Sequence, residues 1–342
     1  STTSHPLGDD EMAASFRRRL RPTSAPPLDG DDLLDEILLR LSPDPSSLPR
    51  AAAVCTRWRC LVSDPGFARR FRLRHRRSPP ILGCFVTEFA PTIVSFVPTL
   101  EAPNRVPAMA LQLGLDYGIG NSRLLSCRHG LLLMLLSSCE ILVWEPFTGD
   151  KHLLAIPPRF VGDERQITGA VLRAPGVIHP FLVVLLGIDK QDCKQAIACV
   201  YSSETGEWGS FISTLLSDEE ADCLMFMRTP DVLVGDSLFW LVDLDQSSLP
   251  ILEFDLHRQT LTVIPVPPVD TEGRGGFMLM RAEGGGLGFL FQSGCNVQLW
   301  KRKIDSDGDA SWVLGRTFEL DKILSLNLTE KESTVILSLA VQ

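Results

Sequence analysis

Six histidines, nine cysteines and 42 acidic side chains are the residues of this 342-residue chain that could carry chemistry, and their spacing decides whether they do. Zinc needs ligands grouped as in HExxH or in paired Cys and His steps. His5, His75, His129, His152, His179 and His257 are scattered, and Cys127-Arg128-His129 is too tight to close a site alone. In "DSDGDAS", Asp305, Asp307 and Asp309 imitate the start of a calcium loop. The turn glycine, Gly308, falls at the fourth place, however, and Arg316 stands where a bidentate Glu is required. "EGGGLGF" (283–289) lacks the third glycine of a dinucleotide fingerprint and leads into a strand-like run where a helix would be needed. Glu219-Glu220 has no opposing carboxylate that hydrolysis would demand. The residues therefore predict no catalytic centre, no metal and no cofactor, and the two Asp- and Gly-rich stretches read as hairpin turns.

The elements that would have to position such groups are bounded by charge and composition. A formal net charge of −9 opposes a general nucleic-acid binder, which must neutralise phosphate. The charge is uneven: residues 1–80 hold 14 Arg, no Lys and 10 acids, and residues 81–342 hold 19 basic and 32 acidic side chains. Two electrostatically different pieces are joined. Arg69, Arg70, Arg72, Arg74, Arg76 and Arg77 crowd "RRFRLRHRRSPP" without an aromatic platform, so they read as a solvated helix end and linker. The longest apolar runs, "LLLMLL" (131–136) and "FLVVLLGI" (181–188), fall far short of the roughly 20 residues that span a bilayer. No membrane partner is expected. Residues 1–27 lack a signal-type apolar core and read as a disordered lead-in, which makes the Asn327-Leu328-Thr329 sequon a coincidence. Nine cysteines without a CxxC pair predict reduced, mostly buried thiols and a cytoplasmic or nuclear setting.

Near the front, Leu33, Leu34, Ile37, Leu38 and Leu41 fall at i, i+1, i+4, i+5 and i+8, one side of a helix about ten residues long. Asp31 and Asp32 can cap it, and Ser42-Pro43-Asp44-Pro45 stops it. Ala51, Ala52, Val54, Cys55, Trp58, Leu61 and Val62 then recur at helical spacing until Asp64-Pro65-Gly66, and a third helix is expected to start near Phe67. From periodicity alone, this unit could equally be a small helical subdomain facing only its own core.

Residues 28–74, above all "DDLLDEILLRL" followed by "AAAVCTRWRCLVSDPGFARRF", resemble an F-box, the helical motif that docks onto the Skp adaptor of Skp-cullin-F-box ubiquitin ligases. The order Leu-Leu-x-Glu-Ile-Leu-x-Arg-Leu, Val-Cys-x-x-Trp-Arg and Asp-Pro-x-Phe carries the resemblance. It implies adaptor contact through Leu33, Leu34, Ile37, Leu38, Leu41, Val54, Cys55, Trp58 and Leu61. One departure bears on adaptor affinity: the family's Leu-Pro ahead of the first Asp pair is replaced by Leu28-Asp29-Gly30.

From Ile81 the texture changes to short apolar strands between Gly-, Pro- and Asp-rich turns. Trp144, Tyr201, Phe254 and Trp300 each end an aromatic strand before a polar turn, at intervals of 57, 53 and 46 residues, close to a kelch-type blade period of about 50. "SCRHGLLLMLL", "VGDSLFWLV" and "GGGLGFLFQ" add a shared lead-in of Gly or Asp before an apolar run. Units with so few strands must stack to hide their faces, and a β-propeller is the natural closure.

The same segments resemble the large plant, particularly grass, F-box family with a propeller-like associated domain, from about Leu28 onward. Grass relatives continue for a further blade's worth of residues past "LSL", so the last blade is expected to be incomplete here. The expected architecture is α+β multidomain: a lead-in at 1–27, an all-α F-box at 28–75, a linker at 76–80 and an all-β kelch-like propeller at 81–342. The resemblance implies a non-catalytic adaptor that binds a Skp-like protein, through it cullin, and an unknown protein substrate, with no nucleic acid. A scaffold without a degradation target and a propeller enzyme are the alternatives.

Overall fold

A computed structural model describes residues 31–75, 80–89, 92–107, 122–137, 139–160, 166–173, 180–189, 191–192, 194–216, 224–226, 229, 231–244, 249–269, 275–305 and 309–324. The expected lead-in, Leu28-Asp29-Gly30, Arg76, Arg77, His5, His179, Cys193, Cys223, Glu219-Glu220, Gly308 and the Asn327 sequon lie outside them. The chain divides into two compact units, Ser1–Pro80 and Ile81–Gln342.

The first unit contains four helices, α1 (Asp31–Leu38), α2 (Ser47–Val54), α3 (Thr56–Ser63) and α4 (Pro65–His75). The single helix expected after Ser47 is two, because Cys55 is extended at φ −162° and ψ 169°. Val-Cys-Thr are three consecutive weak helix formers, so little local preference opposes the break. The last helix starts at Pro65, two residues before the position expected. Asp64 caps it, its Oδ2 accepting from Phe67 N at 2.8 Å, and a proline at the first helical position sacrifices no hydrogen bond. Leu34, Leu38, Leu39, Ala51, Phe67 and Phe71 form the core.

The second unit is built from antiparallel sheets in chain order. A hairpin of β1 (Gly83–Phe89) and β2 (Thr92–Pro98) comes first. Blade 1 is β3 (Arg123–Arg128), β4 (Leu131–Ser137), β5 (Glu140–Trp144) and β6 (Lys151–Ala155). Blade 2 is β7 (Ile167–Arg173), β8 (Phe181–Ile188) and β9 (Gln195–Ser202), with β10 (Glu207–Trp208) and β11 (Ile212–Leu215) both pairing with β9. In blade 3, β12 (Leu224–Phe226) and β13 (Val232–Val234) share β14 (Ser237–Leu244), followed by β15 (Ile251–Asp255) and β16 (Thr260–Ile264). Blade 4 is β17 (Gly275–Arg281), β18 (Leu287–Ser293), β19 (Asn296–Ile304) and β20 (Ala310–Glu319), and α5 (Leu320–Leu324) follows it.

Side chains alternate across a strand, and here both faces are buried. Phe181, Val183 and Leu185 of β8 enter the core shared with blade 1, and Val184, Leu186 and Ile188 enter the core shared with blade 3. In β14, Leu238, Trp240 and Val242 serve the blade 2–3 core and Phe239 and Leu241 the blade 3–4 core. Leu132 and Met134 of β4 pack with Val94 of the first hairpin. Runs such as "FLVVLLGI" are therefore continuous because each strand supplies two cores. Trp144, Tyr201, Phe254 and Trp300 all lie on the third strand of their blades, and the shared lead-ins are the turns from first to second strand. "EGGGLGF" is such a turn, with Gly284, Gly285 and Gly286 at φ of 80°, 87° and 86°. Asp305 and Asp309 flank the β19–β20 turn, where Asp305 Oδ1 accepts from Asp309 N at 2.8 Å.

Across the inner strands, Arg128 at the end of β3 meets Asp231 just ahead of β13, Nη2 to Oδ2 at 2.5 Å, and Ser126 Oγ donates to the other carboxylate oxygen at 2.7 Å. The tie joins blades 1 and 3, which are not consecutive. Among the described residues the first hairpin and blade 4 share no strand pairing.

Candidate functional site

Among the described residues, four large apolar side chains of the helical unit remain outside its core: Leu33 is 46% exposed, Ile37 36%, Val54 61% and Leu73 54%. Leu33 and Ile37, four residues apart, share one face of α1. The adjoining face holds it in place. Leu34 and Leu38, both expected at an adaptor contact, are fully buried in the unit's own core, where they anchor α1. Helix geometry gives the reason: with 3.6 residues per turn, Leu33 and Leu34 point about 100° apart, so the edge of the stripe that carries Leu34 enters the core and the edge that carries Leu33 stays outside it.

Asp35 fixes the rotation of α1. Arg70 of α4 grips it with Nη1 and Nη2, the latter at 2.8 Å, and the hydrogen bonds to Asp35 push the Arg70 pKa up. His75 Nε2 lies 3.1 Å from the Leu39 carbonyl oxygen, and Phe71 lies between Phe67, stacked at a centroid distance of 6.0 Å, and His75, tilted at 4.5 Å. Leu41, Trp58 and Leu61 pack half-buried against the core, and Cys55 is exposed at the break between α2 and α3. The structure thus divides the nine expected contact residues. Leu33, Ile37, Val54 and Cys55 are presented; Leu34 and Leu38 are internal; Leu41, Trp58 and Leu61 are partly available. Leu73 and the Asp35–Arg70 clamp were not anticipated, although Arg70 lies in the arginine-rich run that reads as a solvated helix end.

Elsewhere, the ion pairs tie the propeller together. Arg159 binds Asp189 and lies over the Phe211 ring, 5.1 Å from its centroid. Arg173 pairs with Glu145 at 2.9 Å and Arg302 with Glu253 at 3.2 Å. Among the described residues no group of three or more His, Cys, Asp or Glu could hold a metal ion, and no helix is long and apolar enough to cross a membrane. The expectation of mostly buried thiols is corrected: of the described cysteines Cys84 and Cys199 are buried, whereas Cys55, Cys60 and Cys139 are exposed. The last three sit in a helix break, on an outer helix face and in a turn, where no core is available to them.

Comparison with known proteins matches residues 31–74 to the F-box-like family and residues 123–338 to the family described as F-box protein AT5G49610-like, beta-propeller. The chain belongs to this F-box β-propeller family. The F-box match falls on α1 to α4 and the propeller match begins at β3. Among curated relatives, the Arabidopsis thaliana F-box protein At3g16210 is 26% identical over 239 residues, covering 69% of this chain and 60% of that one. The F-box/kelch-repeat protein At3g17280 of the same plant is 23% identical over 242 residues, covering 69% and 59%. The match spans less than two thirds of either relative's length. Among solved structures, the Aleuria aurantia lectin superposes with a TM-score of 0.32 and 13% identity over 55% of this chain and 53% of the lectin, too little to support a functional parallel.

Proposed function

We propose that this F-box protein is the substrate-recognition subunit of a Skp-cullin-F-box ubiquitin ligase. In this reading the helical unit docks a Skp-like adaptor, the adaptor brings cullin, and the propeller holds a protein client. The observation that carries it is the two-sided α1: Leu34 and Leu38 bind the helix to its own core, and Leu33 and Ile37 present apolar surface that this core does not use. Exposed apolar side chains on a rigid helix are what a partner groove requires. The chain performs no bond chemistry of its own; it raises the local concentration of client near a ubiquitin-charged enzyme, making transfer effectively intramolecular. A cytoplasmic or nuclear site of action goes with this role.

The test is Leu33→Asp with Ile37→Asp in the full chain, followed by capture of adaptor and cullin from a plant lysate. A carboxylate forced against an apolar surface costs several kcal/mol, so cullin association should vanish while the helical circular dichroism is unchanged. Cullin retained by a folded double variant would sink the proposal. Leu34→Asp makes the contrast, since it should unfold the helical unit and report on the core alone.

A further inference from the structure

A groove of about 360 Å³ lies in the propeller where β9 and β10 of blade 2 approach the β15–β16 turn of blade 3, within the size range of small-ligand pockets. Its apolar wall is Leu182, Val200 and Leu256, and Leu182 is the one exposed residue of the otherwise buried β8. Ser202, Gln259 and Glu207 supply polar groups. Glu207 is the single ionisable side chain among those lining the groove, and its carboxylate has no ion pair or hydrogen bond among the described residues.

The Gln259 position adds an independent observation. The turns that join the third and fourth strands of blades 1 and 2 each hold a glycine whose N–H donates to the carbonyl four residues back, Gly149 at φ 82° and Gly206 at φ 74°. Glycine is suited to that left-handed conformation because it has no Cβ. Blade 3 has Gln259 at the equivalent place, at φ 50°, and that side chain lines the groove. A strained residue stands where blades 1 and 2 relax, and its carboxamide lines the same groove as Glu207.

We infer that this groove binds a basic side chain, arginine above all, of a protein partner. An aliphatic stem lies along Leu182, Val200 and Leu256 while the cationic head meets Glu207 and the Gln259 carboxamide oxygen. A guanidinium suits this set better than an ammonium, since its fixed fork bonds a carboxylate and a second acceptor together. The surplus of acids over bases in residues 81–342, 32 against 19, favours such a partner at longer range. Naming the occupant a protein rests on the client-receptor reading; the chemistry of the groove does not.

The experiment titrates the full chain, at neutral pH and low salt, into fluorescein-labelled seven-residue peptides of glycine and serine with one central arginine, citrulline or glutamate, read by fluorescence anisotropy. The arginine peptide should bind saturably and at least tenfold more tightly than its neutral citrulline counterpart, and the glutamate peptide should not bind. Glu207→Gln should erase the preference for arginine. Gln259→Gly should weaken arginine binding at least threefold with a melting temperature unchanged or raised. Equal binding of arginine and citrulline, no saturable binding by the unaltered chain, or a preference that survives Glu207→Gln overturns the inference. Gln259→Gly binding as tightly as the unaltered chain, or losing binding only together with a lowered melting temperature, removes Gln259 from it. Adaptor capture measured on the same variants separates the two proposals: lost peptide binding with cullin retained concerns the groove alone.

Discussion

The indole Nε1 of Trp208 donates to the carbonyl oxygen of Ala155 at 3.0 Å, linking the outer edge of blade 2 to the last residue of blade 1's fourth strand. Blade 4 repeats the arrangement, Trp312 Nε1 donating to Pro265 just past β16 at 2.8 Å. Trp208→Phe or Trp312→Phe keeps most of the apolar contact and deletes the donor, so each should cost about 1 kcal/mol. The two sites share no partner, and their effects should add within about 0.5 kcal/mol in urea titrations of the double variant. Strong non-additivity would mean that the two junctions unfold as one coupled element.

Asp231 is the larger dependency. Its carboxylate receives Arg128 and Ser126 with its side chain only 2% exposed, and truncating one partner of such a pair leaves a buried charge unmatched. Asp231→Ala should lower stability by roughly 3–5 kcal/mol. Arg128→Met with Asp231→Leu should restore much of that loss, because the pair leaves together. A double variant as unstable as Asp231→Ala would show that the tie itself holds blade 1 to blade 3.

Thiol reactivity should sort by environment. Burial, with the Asp231 charge adding to it, pushes the Cys127 pKa up to about 11, and burial alone takes Cys199 to about 12. The thiolate is the reactive form, so at pH 7.5 iodoacetamide should label exposed Cys55 and Cys60 and spare Cys127 and Cys199 until the chain is unfolded. Peptide mass spectrometry of the native protein checks this, and early labelling of Cys199 would contradict its buried place in β9.

Acid should weaken the pair of Arg159 and Asp189. Arg159 bonds Asp189 with Nε at 3.2 Å and also with Nη2, and these bonds hold the carboxyl below its ordinary range, with the Gln191 N–H helping and burial opposing. A depressed carboxyl contributes its stability in full above its unfolded pKa near 4 and loses it as pH falls through the lower folded value. The stability gap between the unaltered chain and Asp189→Asn should therefore be widest at pH 6–7 and close as pH falls below about 4. A gap constant from pH 7 to pH 3 would remove the carboxylate's charge from the account.

The fold was legible where side-chain periods are long and repeated. Trp144, Tyr201, Phe254 and Trp300 marked the third strand of every blade because each packs toward the preceding sheet, Trp144 against the first hairpin and the other three against the preceding blade. The α2–α3 break at Cys55 left no trace, since no glycine or proline marks it and Val-Cys-Thr merely permits it. The exposed apolar set of the helical unit was legible only in part. Periodicity shows that Leu33, Leu34, Ile37 and Leu38 share a broad apolar stripe, but which edge of the stripe meets the core depends on Phe67 and Phe71, some 30 residues away. The groove at Gln259 was hidden for a similar reason: its walls come from β8, β9 and a turn more than 50 residues on, and a left-handed glutamine has no sequence signature.

Because alternate residues of β4, β8 and β14 feed different cores, no inter-blade core can close before the following blade has been synthesised. A ribosome releasing this chain thus holds one raw apolar face at a time, the trailing side of the newest sheet, which the next 50 or so residues then cover. The order of emergence becomes the order of assembly, and Arg128 waits through all of blade 2 before Asp231 appears. A pause after blade 2 would expose the side carried by Val184 and Leu186, making that nascent intermediate the one most in need of a chaperone.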